Sequence, residues 1–97
     1  MRQTVLTDTA KADVEPITRF VGENVSQKAK INFLTAFAER LLLIEKIPFL
    51  YQASDKNPDV RRCLIHKHVA CYYKVKDDLI LILAVVDTRI NPDNSPY

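Results

Sequence analysis

The chain has 97 residues, 47% hydrophobic and 27% charged, with a formal net charge of +2, which describes one small domain spanning 1–97 that can bury a core without staples. No apolar run nears the roughly 18 residues that span a bilayer, and the opening MRQTVLTDTAKAD lacks the apolar stretch of a signal peptide, so a cytoplasmic protein with no membrane partner is expected. Two cysteines, Cys63 and Cys71, make no disulfide framework and are expected to be reduced; so small a positive excess settles little about partners, although a protein that grips nucleic acid through many phosphates usually carries more.

In chain order, residues 2–6 predict a short strand carrying Val5 and Leu6. Thr7 or Asp8 then caps a helix whose apolar face is Ala10, Val14, Ile17 and Val21. Pro16 interrupts it, and two readings stand: the helix bends there, or Asp13 caps a shorter helix starting near Glu15. Gly22 to Asn24 ends the element. Ser26 caps a second, longer helix with two apolar rows, one of Phe33, Phe37, Leu41 and Ile44, the other of Leu34, Ala38 and Leu42. Together the rows predict a stripe broad enough to face a sheet and a neighbouring helix at once. Pro48 terminates this helix, and the short connection makes the pair an antiparallel hairpin.

The stretch from Phe49 to Asp59, with SDKNPD, is turn-forming. Three strands follow: Val60 to Ile65, a tight turn near His66 and Lys67, Val69 to Lys76, a turn at Asp77-Asp78, and Leu79 to Asp87. With Gly22 the only glycine, the turns must rely on Asn, Asp, Pro and Lys. The tail 93–97 has nothing to bury and is expected to be mobile. The order β-α-α-β-β-β predicts a two-layer α+β fold, an antiparallel sheet with a helical hairpin on one face.

The last strand is the apolar centre. All eight residues from Leu79 to Val86 are hydrophobic, whereas a half-buried strand alternates. Both its faces therefore need cover. The helices supply one, and a second polypeptide is expected on the other. Tyr72, Tyr73, Leu79, Leu81, Leu83 and Val85 form the expected partner-binding set, although which face of the strand stays open is not decided by sequence.

Catalytic templates find little. There is no glycine-rich phosphate loop, and no cofactor or metal is expected. Cys63, His66, His68 and Cys71 flank one turn, but strand alternation sends Cys63 and His66 to opposite faces, while a zinc site needs converging ligands. The plain reading is two core-facing cysteines and two turn histidines. The segment from Arg61 to Lys76 holds Arg61, Arg62, Lys67, Lys74 and Lys76 with both histidines and no acid. These charges can simply solvate strand edges and discourage edge pairing. Beside Tyr72 and Tyr73 they also suit RNA, with cations on phosphates and rings on bases. Metal-free cleavage then needs an acid, a base and cationic stabilisation, which His66, His68, Arg61, Arg62, Arg89 and a tyrosine offer in kind but without an identifying spacing.

The ordered combination of an apolar helix ending at Pro48, an NPD loop, Arg61-Arg62 entering a strand, and CYYKVKDDLILILAVVDTRINP resembles the RelE/ParE superfamily of bacterial toxins over nearly the whole chain, most clearly from Pro48 to Pro92. The resemblance implies the toxin of a type II toxin–antitoxin, or plasmid-stabilisation, module that arrests growth until a small antitoxin covers its sheet face. It implies one of two activities: ParE-like binding to DNA gyrase without chemistry, or RelE-like mRNA cleavage on or off the ribosome. In the second case Arg61, Arg62 and Arg89 stand where catalytic arginines are expected, and Tyr97 is the tyrosine nearest the end. The loop before Val60 has only Lys56 in place of the lysine cluster of ribosome-dependent enzymes. With the low net charge, this favours the gyrase-binding type. A homodimer is a further expected arrangement.

Overall fold

The computed structural model describes residues 2–90 and residue 97. The elements run β1 (Gln3–Leu6), α1 (Asp8–Asn24), α2 (Gln27–Lys46), β2 (Arg61–His66), β3 (Val69–Lys76) and β4 (Leu79–Asp87). The six elements form two layers, a helical hairpin over a four-stranded sheet of order β1-β4-β3-β2.

Each helix starts where its capping residue predicts. Thr7 accepts from the Ala10 amide at 3.2 Å, and Ser26 accepts from the Ala29 amide at 2.9 Å, relieving one of the free amides of each first turn. α1 does not restart near Glu15. It runs through Pro16, whose ring is exposed, so the backbone bond that proline removes lies on the wet side of the helix. Asp13 caps no helix. Its carboxylate accepts from the Val85 amide in β4 at 3.0 Å. β1 has by then turned into α1, so that flank of β4 has no strand to take the amide.

The sheet is mixed rather than wholly antiparallel. β2, β3 and β4 are antiparallel neighbours, whereas β1 lies parallel to β4, with Gln3 opposite Leu79 and Leu6 opposite Ile82. Parallel neighbours need a long crossover, and here everything between β1 and β4 is that crossover. A hairpin reading of β2–β4 cannot see this, because β1's partner is set by where the helices return the chain. In the β3–β4 turn Asp77 takes φ 52°. Asp tolerates this left-handed position better than most residues, so the turn forms without glycine.

The core lies between layers. Tyr73, Ile80, Ile82, Val69, Cys63 and Cys71 of the sheet pack with Ile17, Val21, Phe33, Phe37 and Ile44 of the helices. Only one of the two apolar rows of α2 takes part. Phe33, Phe37 and Ile44 are buried, with Leu41 packed beside them. Leu34, Ala38 and Leu42 face outward, joined by Ile31, and Leu42 and Ile31 are 59% and 63% exposed. The hairpin is one layer thick, so among the described residues α2 has no neighbour on that side.

A bulge decides which face each residue of β4 takes. Tyr72 pairs with Ala84 but Tyr73 with Ile82, leaving Leu83 as the extra residue. Ile80 and Ile82 point to the helices, and past the bulge so does Val85. Ala84, with Leu83 and Val86, belongs to a second cluster on the other side with Val60, Ala70 and Tyr72. Tyr73 and Val85 thus lie in the helix-side core, unlike the rest of the expected partner-binding set. The strict alternation assumed for that row breaks at one inserted residue.

Candidate functional site

The second face of the sheet is not bare along its whole length. At the β2–β3 end the chain itself covers it. Val60, Ala70, Tyr72 and Ala84 are buried, and Tyr97 packs against them, its ring centroid 6.0 Å from that of Tyr72. The Ser54 hydroxyl donates to the Tyr97 carbonyl. The expected mobility of the tail concerns 93–97; 93–96 lie outside the described residues, and Tyr97 makes these contacts. At the other end of the face Leu79 is 37% exposed and Leu81 half-buried.

Between loop and sheet lies a polar cavity of about 410 Å³ lined by Gln52 to Lys56, Arg62, Tyr72 and Tyr97. The loop is locked to β2: Arg62 N donates to Gln52 O at 3.1 Å, Ser54 N to Val60 O at 2.7 Å, and Ala53 bridges Arg61. Asn57 closes the turn by accepting from the Asp59 amide at 3.1 Å. On the floor, Arg62 Nε donates to the Tyr72 hydroxyl at 3.2 Å. Arg62 is exposed, so a cation and two aromatic rings share one opening.

The other expected cations are engaged elsewhere. Arg61 donates to the Tyr51 carbonyl at 2.6 Å and lies over the Phe49 ring at 4.9 Å. Arg89 grips Asp87 with two side-chain bonds, Nε to Oδ1 at 3.1 Å and Nη2 to Oδ2 at 2.7 Å, while its amide donates to Oδ1 at 2.8 Å. It also lies over the Phe20 ring at 5.3 Å. The Asp87 side chain is fully buried. Burial alone would push this carboxyl up, but the Arg89 bonds and charge, helped by His68, outweigh it and hold it below the ordinary range. The sequence shows Asp87 as part of the Asp-x-Arg run that closes the aliphatic strand but assigns it no role; one acid ending an all-apolar run two residues before an arginine was the visible sign of the pair.

His66 and His68 sit at the β2–β3 turn with ring centroids 5.5 Å apart. His66 is at the opposite end of β2 from Arg62, roughly 13 Å along the strand. Burial, with the charges of Arg89, His68 and Lys67, lowers the His66 pKa against the opposing pull of Asp87. Cys63 and Cys71 face each other across β2 and β3, fully buried, and burial pushes both thiols up. Burial likewise raises the Tyr73 phenol to about 12, and its hydroxyl donates to the Pro48 carbonyl at 2.7 Å. These groups are poor nucleophiles at neutral pH. The structure thus joins Arg62 with Tyr72 and parts both from Arg89 and the histidines.

Compared with known protein families, residues 4–92 match the profile of the ParE toxin of the type II toxin–antitoxin system parDE. The chain belongs to the ParE toxin family. Among solved structures, this ParE-family chain is similar to a chromosomal ParDE toxin–antitoxin system from P. aeruginosa, with TM-score 0.75, 18% identity, and coverage of 90% of this chain and 96% of that one. It is similar to a copper-bound point mutant of a Helicobacter pylori toxin, with TM-score 0.66, 18% identity and coverage of 94% and 99%. It also shares its fold with a chain of the E. coli DinJ–YafQ complex, with TM-score 0.58, 14% identity and coverage of 94% and 98%. No match is found among curated proteins. These identities carry the fold, a RelE/ParE-like two-layer α+β domain. Among the described residues no helix is long and apolar enough to cross a membrane.

Proposed function

We propose that this ParE-family chain is a cytoplasmic growth-arresting toxin that acts by binding DNA gyrase and is neutralised by a cognate antitoxin. The observation that carries the choice of a binding mechanism is that the three expected catalytic arginines do not converge on one opening. Cleaving RNA without a metal requires acid, base and cationic groups within reach of one phosphate. Arg61 is bound to the Tyr51 carbonyl, Arg62 stands with Tyr72, and Arg89, its Nε and Nη2 held by Asp87, lies with the histidines at the far end of β2. A binding toxin needs no such convergence. In cells, induction without antitoxin is expected to inhibit supercoiling and to provoke filamentation while transcripts remain intact. Normal supercoiling at a growth-arresting dose would reject this reading.

The polar cavity favours one rival, a RelE-like ribonuclease. Arg62 beside Tyr72 and Tyr97, with Lys56 on the rim, is an arrangement able to hold a phosphate and stack a base. On that reading transcripts are cut within minutes of induction and Arg62→Ala abolishes the cuts, whereas Arg61→Ala and Arg89→Ala act by weakening the fold. Assaying transcripts and supercoiling in the same induced culture separates the two.

A further inference from the structure

A second cavity, of about 330 Å³, opens between the helical hairpin and the end of β2. Its size falls within the range of small ligand pockets, about 300–1,000 Å³. Its floor is apolar: Val21 of α1, Ala29, Phe33 and Ala36 of α2, and Ile65 of β2. Exposed Val25 stands at its mouth.

The rim has the opposite character. His66 and Arg89 line it. His66 Nδ1 accepts the His68 amide at 3.2 Å, so the neutral ring carries its proton on Nε2 and offers a donor there. Arg89 spends Nε and Nη2 on Asp87, and its Nη1 makes no hydrogen bond among the described residues. Lys67 and His68 add to the positive field, and Asp87, the acid nearby, is already held by Arg89. An apolar floor under a rim of donors suits a bulky hydrocarbon side chain next to a carboxylate, and repels one next to a cation.

We propose that this cavity is a socket for one large apolar side chain of the partner protein, with an acidic residue of the same segment held at the rim by His66 and Arg89. The inference rests on reading the chain as one half of a two-chain module. It names a single anchoring point and the residue pair that fits it.

The test is an NMR titration of the whole chain with blocked dipeptides: N-acetyl-Leu-Glu-amide, N-acetyl-Leu-Lys-amide and N-acetyl-Ala-Glu-amide. The Leu-Glu peptide is expected to shift the Ala29, Ala36 and Ile65 methyls and the His66 ring. It should bind about tenfold more tightly than Ala-Glu and about threefold more tightly than Leu-Lys. His66, held low by burial and by Arg89, His68 and Lys67 against Asp87, is expected to titrate at higher pH when the peptide is bound. Ala36→Phe fills the cavity and should remove the shifts; should it disturb the fold, Ala29→Leu makes the same test nearer the helix end. Shifts that map elsewhere, or equal binding of Leu-Glu and either control, would overturn the socket. The supercoiling assay reads a different event, so failure of the socket leaves the gyrase proposal standing, and the reverse also holds.

Discussion

Tyr72 and Tyr73 are neighbours on one strand and live in different surroundings. Tyr73 points into the interlayer core, wholly buried, with its hydroxyl on the Pro48 carbonyl. Tyr72 points to the other face, where it is shielded by Tyr97 and lies against the exposed Arg62. The contrast extends to the sheet. One face is covered by two helices; among the described residues the other is covered where the loop after α2 and Tyr97 reach it. An oily strand therefore does not by itself call for a second chain along its full length. A loop locked by a few backbone bonds covers one end, and the exposed apolar surface shifts to Leu79 and, more extensively, to the outer row of α2.

The sharpest test of this contrast is truncation of the two rings. Tyr73→Ala empties the packed core and is expected to cost about 3–5 kcal/mol, while Tyr72→Ala should cost roughly half as much, because solvent and the adjoining loop refill the site. Chemical denaturation measures both, and equal losses would mean that the two faces are equally well packed. Next comes the Asp87–Arg89 pair. Arg89→Ala leaves a buried carboxylate without its partner and is expected to lose on the order of 3 kcal/mol, with Asp87→Asn in the same chain restoring part of it. Because the folded pKa of Asp87 is depressed, this pair stabilises above the unfolded carboxyl value of about 3.9 and its contribution fades as pH falls through the lower folded value. Melting curves of wild type and Arg89→Ala should therefore converge in acid.

Smaller effects refine the picture. Tyr73→Phe strands the Pro48 carbonyl and should cost about 1 kcal/mol, whereas Tyr72→Phe removes a bond at the edge of an open cavity and should cost less. Smallest for stability are Ile31→Ser and Leu42→Ser, within about 0.5 kcal/mol. They are expected to raise solubility and lower self-association, seen by light scattering. A loss of folding in either would show that the outer row is buried in solution, as in a homodimer.

Much of this was written in local residue order. Thr7 and Ser26 mark their helices because a side-chain oxygen next to free amides acts within a few residues. Asp77 makes a glycine-free turn for the same short-range reason, and the boundaries of β3 and β4 follow from aromatic and aliphatic runs between polar turns. The family, too, was legible in the succession of Arg61-Arg62, Tyr72-Tyr73 and the aliphatic strand. Of the candidate site, the company of Arg62 with the tyrosines of β3 was visible, but which tyrosine it meets is set by a register shift between Leu64 and His66 that brings Arg62 opposite Tyr72 rather than Tyr73.

What tertiary structure alone decided are the relations that depend on distant chain. The parallel seat of β1 beside β4 is set by where two helices bring the chain back. The face of Val85 is set by a bulge that one inserted residue makes. Asp13 serves β4 rather than its own helix because β1 ends too soon to do so. The exposure of Leu34 and Leu42 depends on the number of layers in the fold, which no helical period contains. Hydrophobic patterning tells which residues gain by leaving water; it is silent on whether a neighbour exists to receive them.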